Sequence, residues 1–152
     1  NVILKEFKLI PEIDLDSHNK DIYKIIKSKR NPVAVHVRRG DFIQNEGGQA
    51  VVSTFFISAI NKMETLCQDL FFFIFSDDIK WCKTNLTSAN LFFVDINDQR
   101  SGYKDLFLAA QCKHFILTEA STFGHQILEL NNNENRIVIK SKEQDKLRNQ
   151  NS

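Results

Sequence analysis

Three short stretches of the chain, and one acid between them, carry residue types suited to an anionic, hydroxyl-bearing ligand. The first is PVAVHVRRGD, Pro32 to Asp41, where His36, Arg38, Arg39 and Asp41 stand in or just after a run of small, mostly β-branched residues. Two adjacent arginines at the end of a strand point to opposite sides, so one can lie against a neighbour while the other reaches the crevice where open α/β sheets bind ligands. A planar guanidinium placed that way suits a diphosphate. The second is Ser76-Asp77-Asp78, which closes the apolar run Leu70 to Ser76. Its carboxylates can accept from the backbone N–H groups of a following helix, or from a ribose and a base. No further ligand is suitably spaced, so no metal site is expected there. The third is Ser121-Thr122-Phe123-Gly124, ahead of an apolar helical run. Free N–H groups at a helix start attract phosphate, and the plain alternative is a serine cap. Asp105 lies at the start of the helix before the strand that delivers this third motif.

The elements that must position these groups follow from periodicity. Val33, Ala34, Val35 and Val37, bounded by Pro32 and Gly40, read as a strand buried on both faces and as the first of a parallel sheet. Before it, Ile22, Tyr23, Ile25 and Ile26 predict a helix capped by Ser17 or Asp21 and stopped at Asn31-Pro32. After it, Phe42 to Val51 reads as a loop over the sheet's carboxyl edge, and Ser53 as the cap of a helix to about Gln68. Further strands are expected at Leu70–Ser76, Leu91–Val94, His114–Thr118 and Arg136–Ile139, with helices between them at Ile79–Leu86, Lys104–Cys112 and from Ser121 to about Leu130. Strand and helix alternate, and the connections are too long for hairpins, which predicts a doubly wound parallel sheet.

Composition sets the class. The chain has 152 residues, 42% hydrophobic and 26% charged, enough for one globular domain with a real core. A formal net charge of +1 gives no overall field toward nucleic acid or a membrane surface, so any anion site must be local. The longest apolar run, about Leu70 to Phe75, is far short of the ~20 residues a membrane span requires, and no signal peptide is read. Cys67, Cys82 and Cys112, without CxxC spacing, read as reduced, buried thiols of a cytoplasmic protein. The sequon Asn85-Leu86-Thr87 points the other way, to a Golgi lumen.

Taken in order, HVRRGD, FFIFSDDIKWCK and CKHFILTEASTFG resemble the motifs of the α-1,2-fucosyltransferases, glycosyltransferase family 11, over roughly Val33 to Ile139. The resemblance implies a Rossmann-like doubly wound α/β sheet, the donor half of a GT-B-type enzyme. Residues 1–32 would be a connector and lead-in helix, 33–140 the nucleotide-sugar-binding domain and 141–152 a polar tail. It implies inverting transfer of L-fucose from GDP-fucose to the 2-hydroxyl of a galactose in a glycan acceptor, with no metal or cofactor required.

In that likeness Arg38 is the catalytic residue, neutralising charge on the leaving β-phosphate. Arg39 supports it, paired with Asp41 or an acid elsewhere. Asp105 and His36 read the guanine, because a carboxylate can accept from both its N1–H and its N2 amino group. Asp41, Asp77, Asp78, Ser121, Thr122 and Phe123 complete the donor site. Two departures stand out. His125 and Gln126 occupy places where family members usually carry aromatics, and the first motif comes early, where family members have another α/β domain before it. The chain is therefore expected to be the second half of an enzyme, with an N-terminal domain as partner. The alternative is a guanine-nucleotide-binding or interaction domain without turnover.

Overall fold

A computed structural model of the chain describes residues 16–39, 48–88, 90–98, 102–118 and 122–141. Within them run α1 (Ser17–Ser28), β1 (Asn31–Val37), α2 (Gly48–Leu66), β2 (Leu70–Ser76), α3 (Ile79–Asn85), β3 (Leu91–Phe93), α4 (Gly102–Ala110), β4 (His114–Leu117), α5 (Thr122–Leu130) and β5 (Val138–Lys140). The strands form one all-parallel sheet in the order β3-β2-β1-β4-β5. This is the doubly wound α/β class expected from the alternation. β1 is central, and the winding direction reverses between β1 and β4, where such sheets open a crevice at their carboxyl edge.

The alternating faces of the strands divide the core in two. Val33, Val35 and Val37 of β1 point to the side covered by α2 and α3, where Phe56, Ile60 and Met63 repeat at helical spacing. Ala34 points to the other side, under α1, α4 and α5, against Ile26, Leu108 and Ile127. Tyr23 of α1 stacks on Phe107 of α4 with ring centroids 5.6 Å apart, so the lead-in helix is part of this cover. Pro32 sits in the central strand without penalty. Its carbonyl accepts from Lys113 N–H on the β4 side, and β4 pairing begins only opposite Val33, so the missing proline donor faces no acceptor.

Several boundaries differ from the sequence reading. The cap of α1 is Asp16, whose carboxylate accepts from Asn19 N–H, rather than Ser17 or Asp21. Helix α2 begins at Gly48, so Gly48 to Val51 are helical and Ser53 lies inside the helix. Serine costs only a few tenths of a kcal/mol there, about what neighbouring helix formers offset. Strands β3 and β5 are the sheet's edges and are three residues each. Cys67 is half-buried, while Cys82 and Cys112 are buried, all three free. No helix among the described residues is long and apolar enough to cross a membrane.

Candidate functional site

In a parallel sheet every strand ends at the same edge, so Arg38-Arg39, Asp77-Asp78 and Thr122-Phe123 all emerge there. The helix after each strand starts at that edge, and so does α1, which runs back toward β1. Three side chains strap the exit of β1 to its neighbours. Thr118 Oγ1, just past β4, donates to the His36 carbonyl at 3.1 Å and accepts from Arg38 N–H at 3.3 Å. From the β2 side, Ser76 Oγ donates to the Val37 carbonyl at 2.6 Å and accepts from Asp78 N–H at 2.9 Å. Asp77 accepts from Arg39 N–H at 2.8 Å. The loop thus leaves the sheet in a fixed direction.

His36 continues the alternation of β1 onto the α5 face. It is 8% exposed, and its ring stacks on Phe123 at 4.3 Å between centroids and 26° between planes. Its Nδ1 is buried and has no hydrogen-bond partner among the described residues. Burial holds its pKa down to about 4, with Asp77 pulling upward and Arg38 pushing further down, so the ring is neutral at pH 7. Those two charges therefore lie close to it. Arg38 itself is solvent-exposed, with its backbone N–H held by Thr118 just past β4.

Arg39 turns to the opposite face. Its side chain is 5% exposed, bonds through Nη1 to Asp78 Oδ2 and lies over the Trp81 ring, 4.3 Å from its centroid. Asp78 also caps α3, accepting from Trp81 N–H at 3.2 Å. Among the described residues, Asp78 is an acid that pairs with Arg39. Both carboxylates of the SDD turn hold the architecture of the β1 exit, one through the backbone of Arg39 and one through its side chain.

Asp105 belongs to a separate group at the same edge. It lies in the first turn of α4 and accepts from Asn97 Nδ2 at 2.6 Å. Burial, with Asp95 adding repulsion, raises its pKa to about 6 despite that bond. Its interactions among the described residues do not include His36. Thr122 is the exposed first residue of α5, and Phe123 is half-buried. His125 and Gln126 are exposed on that helix. Asp41 and Ser121, and the loop from Gly40 to Gly47, lie outside the described residues.

Sequence reasoning gave no role of its own to Thr118, to Ser76, although Ser76 stands in the second motif, or to Trp81. A hydroxyl at or just past the end of an apolar strand flanking β1 is the signal that marks the first two. Trp81 carried none, since a helical tryptophan reads as core.

Comparison with known proteins supplies the rest. The model of the family described as Glycosyl transferase family 11 matches residues 8–151. The chain is 27% identical over 146 residues to the O-antigen biosynthesis glycosyltransferase WbnK of Escherichia coli, covering 91% of this chain and 48% of that protein. It is 30% identical over 127 residues to an Escherichia coli alpha-1,2-colitosyltransferase, covering 78% and 42% respectively. To galactoside alpha-(1,2)-fucosyltransferase 1 of Saimiri sciureus it is 32% identical over 101 residues, 62% of this chain and 27% of that one. The chain therefore spans about half the length, or less, of these curated relatives. In fold it is similar to the fucosyltransferase NodZ from Bradyrhizobium, with a TM-score of 0.61 at 18% identity over 76% of this chain and 41% of that one. A NodZ alpha-1,6-fucosyltransferase crystal soaked with GDP-fucose superposes with a TM-score of 0.58 at 19% identity, over the same shares of the two chains.

Proposed function

The chain belongs to glycosyl transferase family 11, and from that premise we propose that it supplies the GDP-fucose-binding half of an inverting α-1,2-fucosyltransferase acting on a galactose 2-hydroxyl. The observation that carries this reading is the grouping at the β1/β4 switch point. There a neutral, buried histidine whose Nδ1 has no partner among the described residues is stacked on Phe123, next to an exposed arginine whose backbone is tied to Thr118. An open α/β sheet binds its ligands at that edge. Arg38 suits the diphosphate, and as the bond to the sugar breaks it stabilises charge growing on the β-phosphate. One preorganised donor of this kind is worth ~3 kcal/mol or more at a water-excluded site.

His36 offers Nδ1 to a donor or acceptor on the nucleotide, and Phe123 holds the ring in place. Asp105 offers a carboxylate to the N1–H and N2 amino group of guanine. The relatives named for fucosyl and colitosyl transfer agree on an α-1,2 linkage and differ in the sugar, so the nucleotide is the part of the donor to test first. The fold neighbour soaked with GDP-fucose makes GDP the nucleotide of choice. Because the chain spans half or less of its relatives, binding without turnover is the reading for this chain alone. Calorimetry with GDP, ADP and UDP tests the assignment. GDP is expected to bind most tightly, and equal affinities for the three would remove it.

A further inference from the structure

Asn97 and Asn19 have no place in the chemistry above, yet they form a closed hydrogen-bonded network at the carboxyl edge of the sheet. Asn19 is 1% exposed in α1, and Asn97 is half-buried in the connection after β3. Their amides pair reciprocally, each Nδ2 donating to the other's Oδ1 at 2.9 Å. The second hydrogen of Asn19 Nδ2 goes to Asp16 Oδ1 at 2.9 Å, and the second of Asn97 Nδ2 to Asp105 Oδ1 at 2.6 Å. All four amide hydrogens are therefore used, and both ends of the chain are carboxylates that only accept. That fixes which way each amide faces and leaves one arrangement of the network. Lys104 Nζ anchors the far end on Asp16 Oδ2 at 3.1 Å. At the near end, Asp105 Oδ2 takes no hydrogen bond from the described residues.

We propose that Asn97, locked by Asn19, is a positioning residue that orients the Asp105 carboxylate toward the Watson–Crick edge of a guanine base. The inference rests on the guanine-nucleotide reading of the site. A carboxylate held at one oxygen by a rigid amide keeps its remaining lone pairs in a fixed direction, as a two-point contact with N1–H and the N2 amino group requires. The charges facing it are Asp95 on its own side and the compensated Asp16–Lys104 pair beyond the amides, with Asp98 near Lys104. No cation among the described residues shifts Asp105, so Asn97 and the bound base are the donors that favour its ionised form as pH falls toward 6.

The test compares the parent chain with Asn97→Ala and the milder Asn97→Ser, using GDP and inosine diphosphate, which lacks the N2 amino group, across pH 5 to 8. In the parent, GDP affinity is expected to fall as pH drops through about 6, because the protonated carboxyl can no longer accept from both groups. In Asn97→Ala the preference for GDP over inosine diphosphate should shrink about tenfold, the value of one bond to a charged group. The pH midpoint should also move up, while inosine diphosphate still binds. Partial rescue of both readouts by Asn97→Ser would support the proposal. A folded Asn97→Ala that keeps the parent's preference and midpoint overturns it and leaves the nucleotide reading standing. A parent that fails to bind GDP overturns both.

Discussion

Arg38 and Arg39 are neighbours in sequence, but the strand's alternation sends them into different environments, and this makes their roles separable. Arg38 is exposed, while Arg39 is buried between Asp78 and Trp81. Replacing Arg38 with lysine keeps the charge but loses the planar two-pronged donor. Arg38→Lys is expected to weaken GDP binding tenfold or more, on the order of 1.4 kcal/mol, with an unchanged melting temperature. Arg39→Lys cannot keep both the stacking on Trp81 and the bond to Asp78, so it should lower stability by about 1 to 3 kcal/mol and affect GDP less. Affinity and melting temperature of both variants decide this, and a reversal of the two patterns would exchange the assignments. His36 makes a second, pH-dependent prediction. Its folded pKa lies near 4, below the ordinary 6.5, so the unfolded chain takes up a proton that the folded chain refuses. Stability from this group is complete above about pH 6.5 and is lost as pH falls toward 4, up to roughly 3 kcal/mol. Asp105 acts in the opposite sense, because its raised pKa favours the folded, protonated form as pH falls from about 6 toward 3.8. The measurement is therefore a difference. His36→Phe, which keeps an aromatic ring against Phe123, should lose less melting temperature than the parent between pH 7 and pH 5.

At the scale of elements, the straps at the β1 exit explain why a strand end can hold a site rigidly. Thr118 alone ties the backbone on both sides of Val37 to β4. Thr118→Val keeps the shape and removes both bonds, so it is expected to cost about 1 to 2 kcal/mol and to weaken GDP binding by loosening Arg38. Binding unchanged in a stable variant would show that the crevice does not depend on this strap. Gly124 gives a prediction of opposite sign. It lies in the first turn of α5, and a methyl there would meet Leu117 and the Thr118 carbonyl at 3.7 Å, an ordinary contact. Gly124→Ala should therefore raise stability by about 0.5 kcal/mol by lowering the entropy of the unfolded chain, with GDP binding retained. These two cases mark what was legible in the sequence. The strands were readable because Val33 to Val37 and Leu70 to Phe75 are unbroken apolar runs, and the parallel sheet followed from helices alternating with them. The helix starts were not, because capping depends on one rotamer. Asp16, Ser17 and Asp21 are all competent, and only the packing of α1 selects Asp16. The Asn19–Asn97 pair was invisible for another reason. Its members are 78 residues apart, and neither amide carries a local pattern. Arg38, Arg39 and His36 were visible because their types are costly to place at a buried strand end. What each one touches was decided by the opposite faces of a single strand.

For the molecule as a whole, the question is what these 152 residues can do. Its sheet is covered on both faces by its own helices, through two cores that contain Met63, Ile74 and Ile116 on one side and Phe73, Phe115 and Leu117 on the other. A unit with both faces packed has the apolar burial of an independent domain, so the ligand edge should be formed without further chain. A donor site that works without a metal is the expectation. The carboxylates of Asp77 and Asp78 already accept from Arg39, with Asp78 also taking Trp81 N–H, and Arg38 is the residue proposed to meet the charge a metal would otherwise bring to a diphosphate. GDP binding is therefore expected to persist in EDTA, and a loss restored by magnesium or manganese would place a cation at the SDD turn instead. Transfer asks for more than donor binding, since an acceptor hydroxyl must be held in line and give up its proton. Among the described residues, the groups proposed for the site are poorly suited to that second task. Arg38 is permanently charged, His36 is buried with a pKa near 4, and Asp105 stands apart in its own network. The curated relatives, about twice as long or longer, have the additional chain in which an acceptor site and base could lie. The 152-residue chain is thus expected to bind GDP and GDP-fucose in calorimetry yet form no fucosylated galactoside. A protein that adds the rest of a family member's length should restore transfer, and Arg38→Lys in that longer protein should lower kcat along with GDP affinity. Measurable transfer by the 152-residue chain alone would show that the base is already among its own residues, and would move the search for it to the crevice between β1 and β4.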